Sequence, residues 1–266
     1  MADPAPAPRG AAFFDVDGTL TRGTTLFRFL EYRFASEGRA AHTYRHERQR
    51  LRAMTAGGLP RTETSRAYFA SYEGLDASYV AQLAAEWFRG ELAHGKFLHE
   101  PTVSALREHQ AAGEPVVLVS GSFPAALAPL ARHLRVDAVL ATEPEIVGDL
   151  YSGRVHTPMI GSAKAEAARS WARARGVDLT ASTAYGDHSS DLPLLELSGH
   201  AVLVGGEPEL RERARWEGWR QLPPPRPAPA LRLPAALTPP DPGPGPSPGP
   251  PPDPCTPSNA AGGLPA

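Results

Sequence analysis

Apolar residues recur along the chain in two alternating patterns: short unbroken runs, and longer stretches with a period of three to four residues. The unbroken runs predict strands buried in a sheet, and they lie at residues 11–15, 115–120, 137–141, 182–186 and 201–204. Residues 145–156 predict a hairpin, with Gly148 and Gly153 as turn signals. Helical spacing predicts helices within residues 25–94 and over residues 164–175. This alternation predicts an α/β fold with a doubly wound, Rossmann-like parallel sheet.

The helical stretch at residues 25–94 follows directly on the first predicted strand. Gly57 and Gly74 separate helices within it. Because no strand pattern interrupts this stretch, we expect a helical cap inserted into a core domain formed by residues 11–24 and 95–221. Ligands of such sheets bind outside the carboxyl ends of the strands, so the functional residues are expected there.

The last part of the chain, residues 222–266, is dominated by proline, glycine, serine and alanine. Proline removes backbone donors and glycine raises chain entropy, so this tail is predicted to be disordered, with polyproline II character. The simplest interpretation is a solvated tail. A docking site for a proline-recognising partner is the alternative.

Charge and hydropathy narrow the classes of partner. The 266 residues carry a formal net charge of -2, which gives no electrostatic footprint for nucleic acid or an acidic membrane. No apolar run is long enough to span a bilayer and no apolar leader is present at the start, so we expect a soluble, cytoplasmic protein. Of the 27 basic side chains only Lys96 and Lys164 are lysines, which makes these two positions candidates for a contact that needs a compact ammonium.

Two carboxylates, Asp15 and Asp17, stand where the first strand runs into a turn at Gly18. Strand geometry alone would point them to opposite faces, but a glycine turn lets the chain curl so that both converge on one ligand. Two crowded acids repel each other unless a positive group lies between them, and the best neutraliser is an oxygen-loving cation such as Mg²⁺. This pattern predicts phosphate chemistry.

Two further segments suit phosphate oxygens. Ser120 and Gly121 end a strand and open a helix, where a hydroxyl and free backbone N–H groups face the favourable end of the helix dipole. An ordinary serine N-cap is the alternative. Lys164 stands at the start of another helix, where the dipole disfavours a cation, so we expect an anion nearby rather than a plain surface lysine.

A second acidic pair, Asp187 and Asp191, follows the strand at residues 182–186. Together with the first pair it gives four carboxylates, more than a fold tolerates without compensation, and a divalent cation and Lys164 are the natural compensation. We interpret the intervening His188 as a solvated loop histidine, because hard oxygen donors favour Mg²⁺ over zinc.

These segments resemble, in order, the four motifs of the haloacid dehalogenase superfamily. The matching residues are Asp15-Val16-Asp17-Gly18-Thr19-Leu20, Ser120-Gly121, Lys164 and Gly186-Asp187 through Asp191-Leu192-Pro193. The inserted helical stretch resembles the cap of the phosphoserine phosphatase-like branch. The resemblance covers about residues 11–220.

The resemblance implies a Mg²⁺-dependent phosphatase that works through an aspartyl-phosphate. Asp15 would be the nucleophile, and Asp17 would protonate the leaving oxygen and then activate water. Mg²⁺ would be bound by Asp15, Asp187 and the backbone carbonyl of Asp17, and Asp191 would lie behind the metal. The phosphate would be bound by Ser120, Gly121 and Lys164. Dehalogenases of the superfamily typically lack the second acid, so Asp17 points to phosphate esters.

The chain departs from the phosphoserine phosphatases at one position. Those enzymes generally carry a glutamate for the substrate ammonium where this chain has Thr24. We therefore predict a small phosphomonoester other than phosphoserine. Some side chains of the cap are candidates for contact with the rest of the substrate, namely Arg22, Arg28, Tyr32, Arg33, Tyr44, Arg45, Arg48 and Arg52. We expect most of them to form a solvated helix face instead, because arginine is so common in this chain.

Two alternative functions remain at this point. A phosphotransferase would pass the same aspartyl-phosphate to an alcohol instead of water. A non-catalytic scaffold would act through the proline-rich tail, but the intact acid set disfavours it. A receiver domain is excluded, because receivers accept phosphate on a later strand and carry no large helical insert.

Overall fold

The computed structural model describes residues 9–231 and 233 of the chain. Its strands are β1 (Ala12–Phe14), β2 (Val116–Ser120), β3 (Ala138–Ala141), β4 (Pro144–Val147), β5 (Leu150–Val155), β6 (Thr183–Gly186), β7 (His200–Val204) and β8 (Arg220–Leu222). Its α-helices are α1 (Thr25–Ser36), α2 (Ala41–Ala56), α3 (Arg61–Ala70), α4 (Ala77–Ala93), α5 (Glu100–Ala111), α6 (Pro124–Leu134), α7 (Ser162–Arg175), α8 (Leu192–Leu197) and α9 (Pro208–Trp216).

Six of these strands form one parallel sheet in the order β3-β2-β1-β6-β7-β8. Alternate residues of β1 enter different apolar layers. Ala12 and Phe14 pack in the larger cluster with α5, α6 and the helices that follow β1, whereas Phe13 packs in a second cluster with α7 and α8. The predicted doubly wound α/β sheet is thereby confirmed.

Helices α1–α4 all lie between β1 and α5, and we call them the cap helices. Their aromatic side chains join the main core: the Phe29 and Phe123 rings are 6.0 Å apart, and those of Trp87 and Phe97 are 5.7 Å apart. The hairpin β4–β5 lies against this group, because the Gly74 N–H donates to the Tyr151 carbonyl over 2.8 Å. The hairpin was predicted, but its place beside the cap helices was not.

The end of the described chain differs from the prediction in two ways. The sheet has a further edge strand, β8, after the one predicted to be last. Residues 223–231 form no helix or strand, yet they make hydrogen bonds to the rest of the protein, and Leu222 and Leu231 pack against the main core. Packing therefore continues past the predicted start of the tail at residue 222, while most of that tail, residue 232 and residues 234–266, lies outside the described residues.

The described helices were also compared with the length and apolarity that a membrane-spanning helix needs. None of those within residues 9–231 is both long enough and apolar enough to cross a bilayer.

Candidate active site

The carboxyl ends of the central strands bring together side chains that are far apart in sequence. Asp15 follows β1, Ser120 ends β2, and Asp187 follows β6. All three line a cavity of about 670 Å³ that also contacts the cap helices. A second cavity of about 780 Å³, near Thr183 and His200 at the start of β6 and β7, contains none of the predicted site residues. The cavity at the carboxyl ends is therefore the candidate site.

Lys164 lies at the centre of the acidic groups. It is the third residue of α7, and its Nζ donates to Asp15 Oδ1 over 2.5 Å and to Asp191 Oδ1 over 2.6 Å. The three side chains are almost fully buried, at 4%, 6% and 2% exposure respectively. Burial alone would lower the pKa of Lys164, but the charges of Asp15 and Asp191 raise it above its usual value. The anion expected beside this lysine is thus present twice.

The turn after β1 needs a glycine in order to admit Asp187. Gly18 has φ +91°, and a Cβ there would lie 2.3 Å from Asp187 Oδ2. Beside it, Thr19 Oγ1 donates to Asp187 Oδ1 over 3.1 Å. The two acidic loops therefore touch each other through a residue without a side chain.

Asp17 connects the site with the cap helices. Its Oδ1 accepts the backbone N–H of Thr25, the first residue of α1, over 2.8 Å. Burial raises the pKa of Asp17, and the hydrogen bond from Thr25 opposes that shift. A carboxyl with a raised pKa that lines the cavity suits a group that gives and takes a proton.

Asp191 is held from several sides. Besides the bond to Lys164, its Oδ2 accepts the N–H of His188 over 3.1 Å and that of Asp187 over 3.3 Å. These bonds close the loop after β6 and leave its carboxylate oxygens occupied. Asp191 is thus placed to orient Lys164 and the loop that carries Asp187.

The donor set fits a hard divalent cation. Carboxylate oxygens of Asp15, Asp187 and Asp191 lie within 4.8 Å of one another. Burial, followed by the charge of the neighbouring Asp191, raises the pKa of Asp187 to about 7. Burial and then the charge of Asp191 also raise the pKa of Asp15 well above its usual value. One ammonium therefore does not fully compensate these carboxylates, and oxygen ligands of this kind are those preferred by Mg²⁺.

Ser120 and Gly121 line the same cavity as the acidic loops. Ser120 is fully buried, and its Oγ accepts the Ser122 N–H over 3.1 Å. Gly121 is half-buried, and a Cβ there would lie 3.6 Å from the Met159 carbonyl oxygen. That distance is an ordinary contact, so the geometry at Gly121 does not by itself require a glycine, but the residue does line the cavity.

The cap side of the cavity combines apolar, hydroxyl and cationic groups. Its lining residues are Thr24, Leu26, Phe27, Leu51, Arg52, Thr55, Ala56, Arg61, Thr64, Ser65 and Tyr68. Of the cap side chains that the sequence offered, only Arg52 lines the cavity in the described chain. Arg28 instead forms a bidentate pair with Glu91 at 2.6 and 2.7 Å, and Arg33 is buried against Glu37 and Ser71.

Sequence reasoning missed Arg61, the first residue of α3. Its Nη1 lies 2.8 Å from His188 Nδ1 and 3.0 Å from Nε2, so it joins a cap helix to the loop after β6. His188 is half-buried rather than solvated, and burial, followed by the charge of Arg61, lowers its pKa. The Gly57-Gly58-Leu59-Pro60 turn marks the start of α3, but Arg61 is one arginine among 25 and nothing in its pattern distinguishes it.

Known proteins match this chain over most of its length. Residues 12–196 match the haloacid dehalogenase-like hydrolase family. An inhibition of morphological differentiation protein from Streptomyces azureus is 32% identical over 227 residues, which are 83% of this chain and 80% of that protein. A phosphoserine phosphatase of Mycobacterium tuberculosis is 33% identical over 221 residues, 79% of this chain and 69% of that one.

Solved structures share the fold. A Bordetella pertussis protein of unknown function has 27% identity and a TM-score of 0.74, with coverage of 81% of this chain and 99% of that one. A phosphoserine phosphatase with a phospho-aspartyl intermediate analogue has 19% identity and a TM-score of 0.60, with coverage of 81% and 93%. The chain therefore belongs to the haloacid dehalogenase-like hydrolase family, as an enzyme of its phosphoserine phosphatase-like branch.

Proposed function

We propose that this protein hydrolyses a small phosphomonoester through a phosphorylated Asp15. The observation that carries the proposal is the clamp on Asp15: a buried ammonium 2.5 Å from its carboxylate, in a cavity that also holds Asp17 and Ser120. Burial raises the pKa of Asp15, and the charge of Lys164 opposes that shift and so favours the ionised, nucleophilic form of this carboxyl. The ammonium would also neutralise oxygens of the phosphoryl group.

The reaction divides into two displacements at phosphorus. In the first, an Asp15 oxygen forms a bond to phosphorus, the ester P–O bond breaks, and Asp17 gives its proton to the departing alkoxide. In the second, a water attacks the same phosphorus while Asp17 takes the water proton. The acyl–phosphate P–O bond breaks, inorganic phosphate leaves and Asp15 is regenerated. Ser120 and the Gly121 N–H would hold the phosphoryl oxygens during both displacements.

Mg²⁺ is the cation we propose for the carboxylates. Asp15, Asp187 and the backbone carbonyl of Asp17 would hold it, and Asp191 would orient this set from behind. When bound, it would neutralise charge on the phosphoryl oxygens. The proposal is supported by the all-oxygen donor set and the excess of buried carboxylate over ammonium.

The organic part of the substrate would face the cap side of the cavity. Within residues 9–231 and 233, the carboxylates that line the cavity are Asp15, Asp17, Asp187 and Asp191, all on the sheet side. An ammonium group beside Thr24 would find a hydroxyl in place of a carboxylate. We therefore propose a phosphomonoester without an ammonium group, although a relative that is 33% identical is named a phosphoserine phosphatase.

The test is phosphate release from a library of small phosphomonoesters, with Mg²⁺ or with excess chelator. Asp15→Asn should lower turnover at least ~10³-fold, on the scale seen for lost covalent nucleophiles. Asp149→Asn makes the same charge change at an exposed turn and is the matched control. Near-native turnover by Asp15→Asn, or full activity after chelation, would contradict the proposal. Phosphorylated alcohol instead of free phosphate, in the presence of an added alcohol, would identify a phosphotransferase.

A further inference from the structure

Residues 223–231 run from the edge of the sheet to the cap helices, and we call them the strap. The strap begins directly after β8, and Leu231 at its other end packs against the main core. Between these ends it crosses the two connections that join the sheet to the cap helices, residues 20–24 and 94–99. These connections pair with each other, because the Arg22 N–H donates to Phe97 O over 2.8 Å and the His99 N–H donates to Leu20 O over 2.9 Å.

The strap is hydrogen-bonded to both connections and to the cap helices. At the connection formed by residues 94–99, His99 Nε2 donates to the Pro223 carbonyl over 2.9 Å. At the connection formed by residues 20–24, Arg22 Nε donates to the Arg226 carbonyl over 3.1 Å, and the Ala228 N–H donates back to the Arg22 carbonyl over 3.0 Å. On the cap side, Nη1 of Arg28, a residue of α1, donates to the Pro229 carbonyl over 3.1 Å.

Close packing accompanies these bonds. A Cβ at Gly205 would lie 2.7 Å from Pro224 Cβ, which is too close for any side chain. The cap anchor is itself rigid, since the Arg28 guanidinium is already paired with the buried Glu91. The strap thus packs closely on the backbone at Gly205 and binds a fixed side chain at Arg28.

The composition of the strap suits a stiff brace. Five of the seven residues 223–229 are prolines. Proline fixes φ, so such a segment loses little conformational entropy when it docks, and it offers mainly carbonyl acceptors. The surface it crosses supplies donors that match, from Arg22, Arg28 and His99.

We propose that the strap is a brace that fixes the cap helices relative to the sheet across the connections at residues 20–24 and 94–99. The candidate site is lined by residues of both the sheet side and the cap helices, and Asp17 stands five residues before Arg22. Movement of the cap helices away from the sheet would have to break the bond of Arg28 to Pro229 or pull Ala228 from Arg22. The strap therefore holds the cap side of the site in its present position over the acidic residues.

Hydrogen–deuterium exchange tests this brace without recourse to activity. A chain that ends at Leu222 keeps β8 and lacks the strap, whereas a chain that ends at Leu233 keeps both. We expect the amides of Arg22 and His99 to exchange at least ~10-fold faster in the shorter chain. Amides of β2, in the centre of the sheet, should exchange at the same rate in both chains.

A pair of point variants gives the same test in the full chain. Ala228→Pro removes the N–H that binds Arg22 and should speed exchange at Arg22 about 5-fold. Ala230→Pro adds the same ring two residues later, where the described chain shows no hydrogen bond from the N–H, and should leave exchange at Arg22 unchanged. This pair decides the question if the chain ending at Leu222 does not fold.

Kinetics adds a second readout, which rests on the proposed function. Removal of a brace on a hinge should change kcat and KM together, with KM raised.

Unchanged exchange at Arg22 and His99 in the shorter chain and in Ala228→Pro would overturn the proposal. Equal acceleration at all amides, β2 included, would also overturn it, because the strap would then only raise global stability. If no phosphomonoester is hydrolysed at all, the proposed function fails while the exchange data still decide the brace.

Discussion

Replacement of Lys164 by methionine removes the one ammonium that the buried acids share. The side chain of methionine is similar in length, so the cavity stays filled while the charge is lost. Asp15 and Asp191, at 2.5 and 2.6 Å from Nζ, then lose their common partner in a region with almost no solvent access. Breaking a buried pair on one side typically costs about 3–5 kcal/mol, because the remaining charge stays buried without compensation.

The cost should depend on pH in a definite direction. Burial and Asp191 already raise the pKa of Asp15 in the folded state, and loss of Lys164 removes the main charge that opposes this shift. A carboxyl whose folded pKa exceeds its unfolded pKa binds its proton more tightly when folded. Stability then falls as pH rises between the two values, by about 1.4 kcal/mol per pH unit for each such proton. The penalty of Lys164→Met should therefore be small at pH 5 and largest at pH 8.

Urea unfolding of both proteins in excess chelator, at pH 5 and at pH 8, measures this penalty without interference from bound metal. Lys96→Met is the matched control, because Lys96 is the other lysine of the chain and is exposed. A loss of less than about 1 kcal/mol at pH 8, or the same loss at both pH values, would refute the view that Lys164 neutralises the buried acids.

Two further substitutions test the substrate side and the metal side of the cavity. Thr24→Glu should raise kcat/KM for phosphoserine relative to glycerol phosphate by about 10- to 100-fold, since a charge-assisted hydrogen bond contributes about 1.5–3 kcal/mol. If phosphoserine were the best substrate of the wild-type protein by tenfold, the premise that Thr24 leaves the substrate ammonium without a partner would be wrong. Gly18→Ala should displace Asp187, whose Oδ2 would lie 2.3 Å from the new Cβ, and so weaken Mg²⁺ binding and lower turnover more than ~10-fold. Gly38→Ala is its control, because Gly38 has φ +69° and no atom would lie within 4 Å of the new Cβ. If both variants lost the same activity, backbone strain alone would explain the loss, and displacement of Asp187 would not.

The sheet and the grouping of the site residues follow from patterns that the sequence states directly. Buried parallel strands are unbroken apolar runs, and residues just after such strands share one edge of the sheet. Asp15, Ser120 and Asp187 could therefore be placed together before any contact was known. Lys164 could be singled out because 25 of the 27 basic side chains are arginines. The roles of these residues in catalysis stay predictions until variants are measured.

The contacts that the sequence did not reveal share a physical cause. The strap binds through backbone carbonyls of Pro223, Arg226 and Pro229, and every residue type carries a carbonyl, so no pattern of side chains encodes this docking. Proline-rich composition predicts a chain that cannot build its own core, which is correct for the strap taken alone. It does not predict whether another surface supplies donors at the spacing of those carbonyls. Arg22 and Arg28 are such donors, and as members of an arginine-rich chain they resembled a solvated helix face. Whether a proline-rich segment docks therefore depends also on the hydrogen-bond donors that the preceding folded domain exposes.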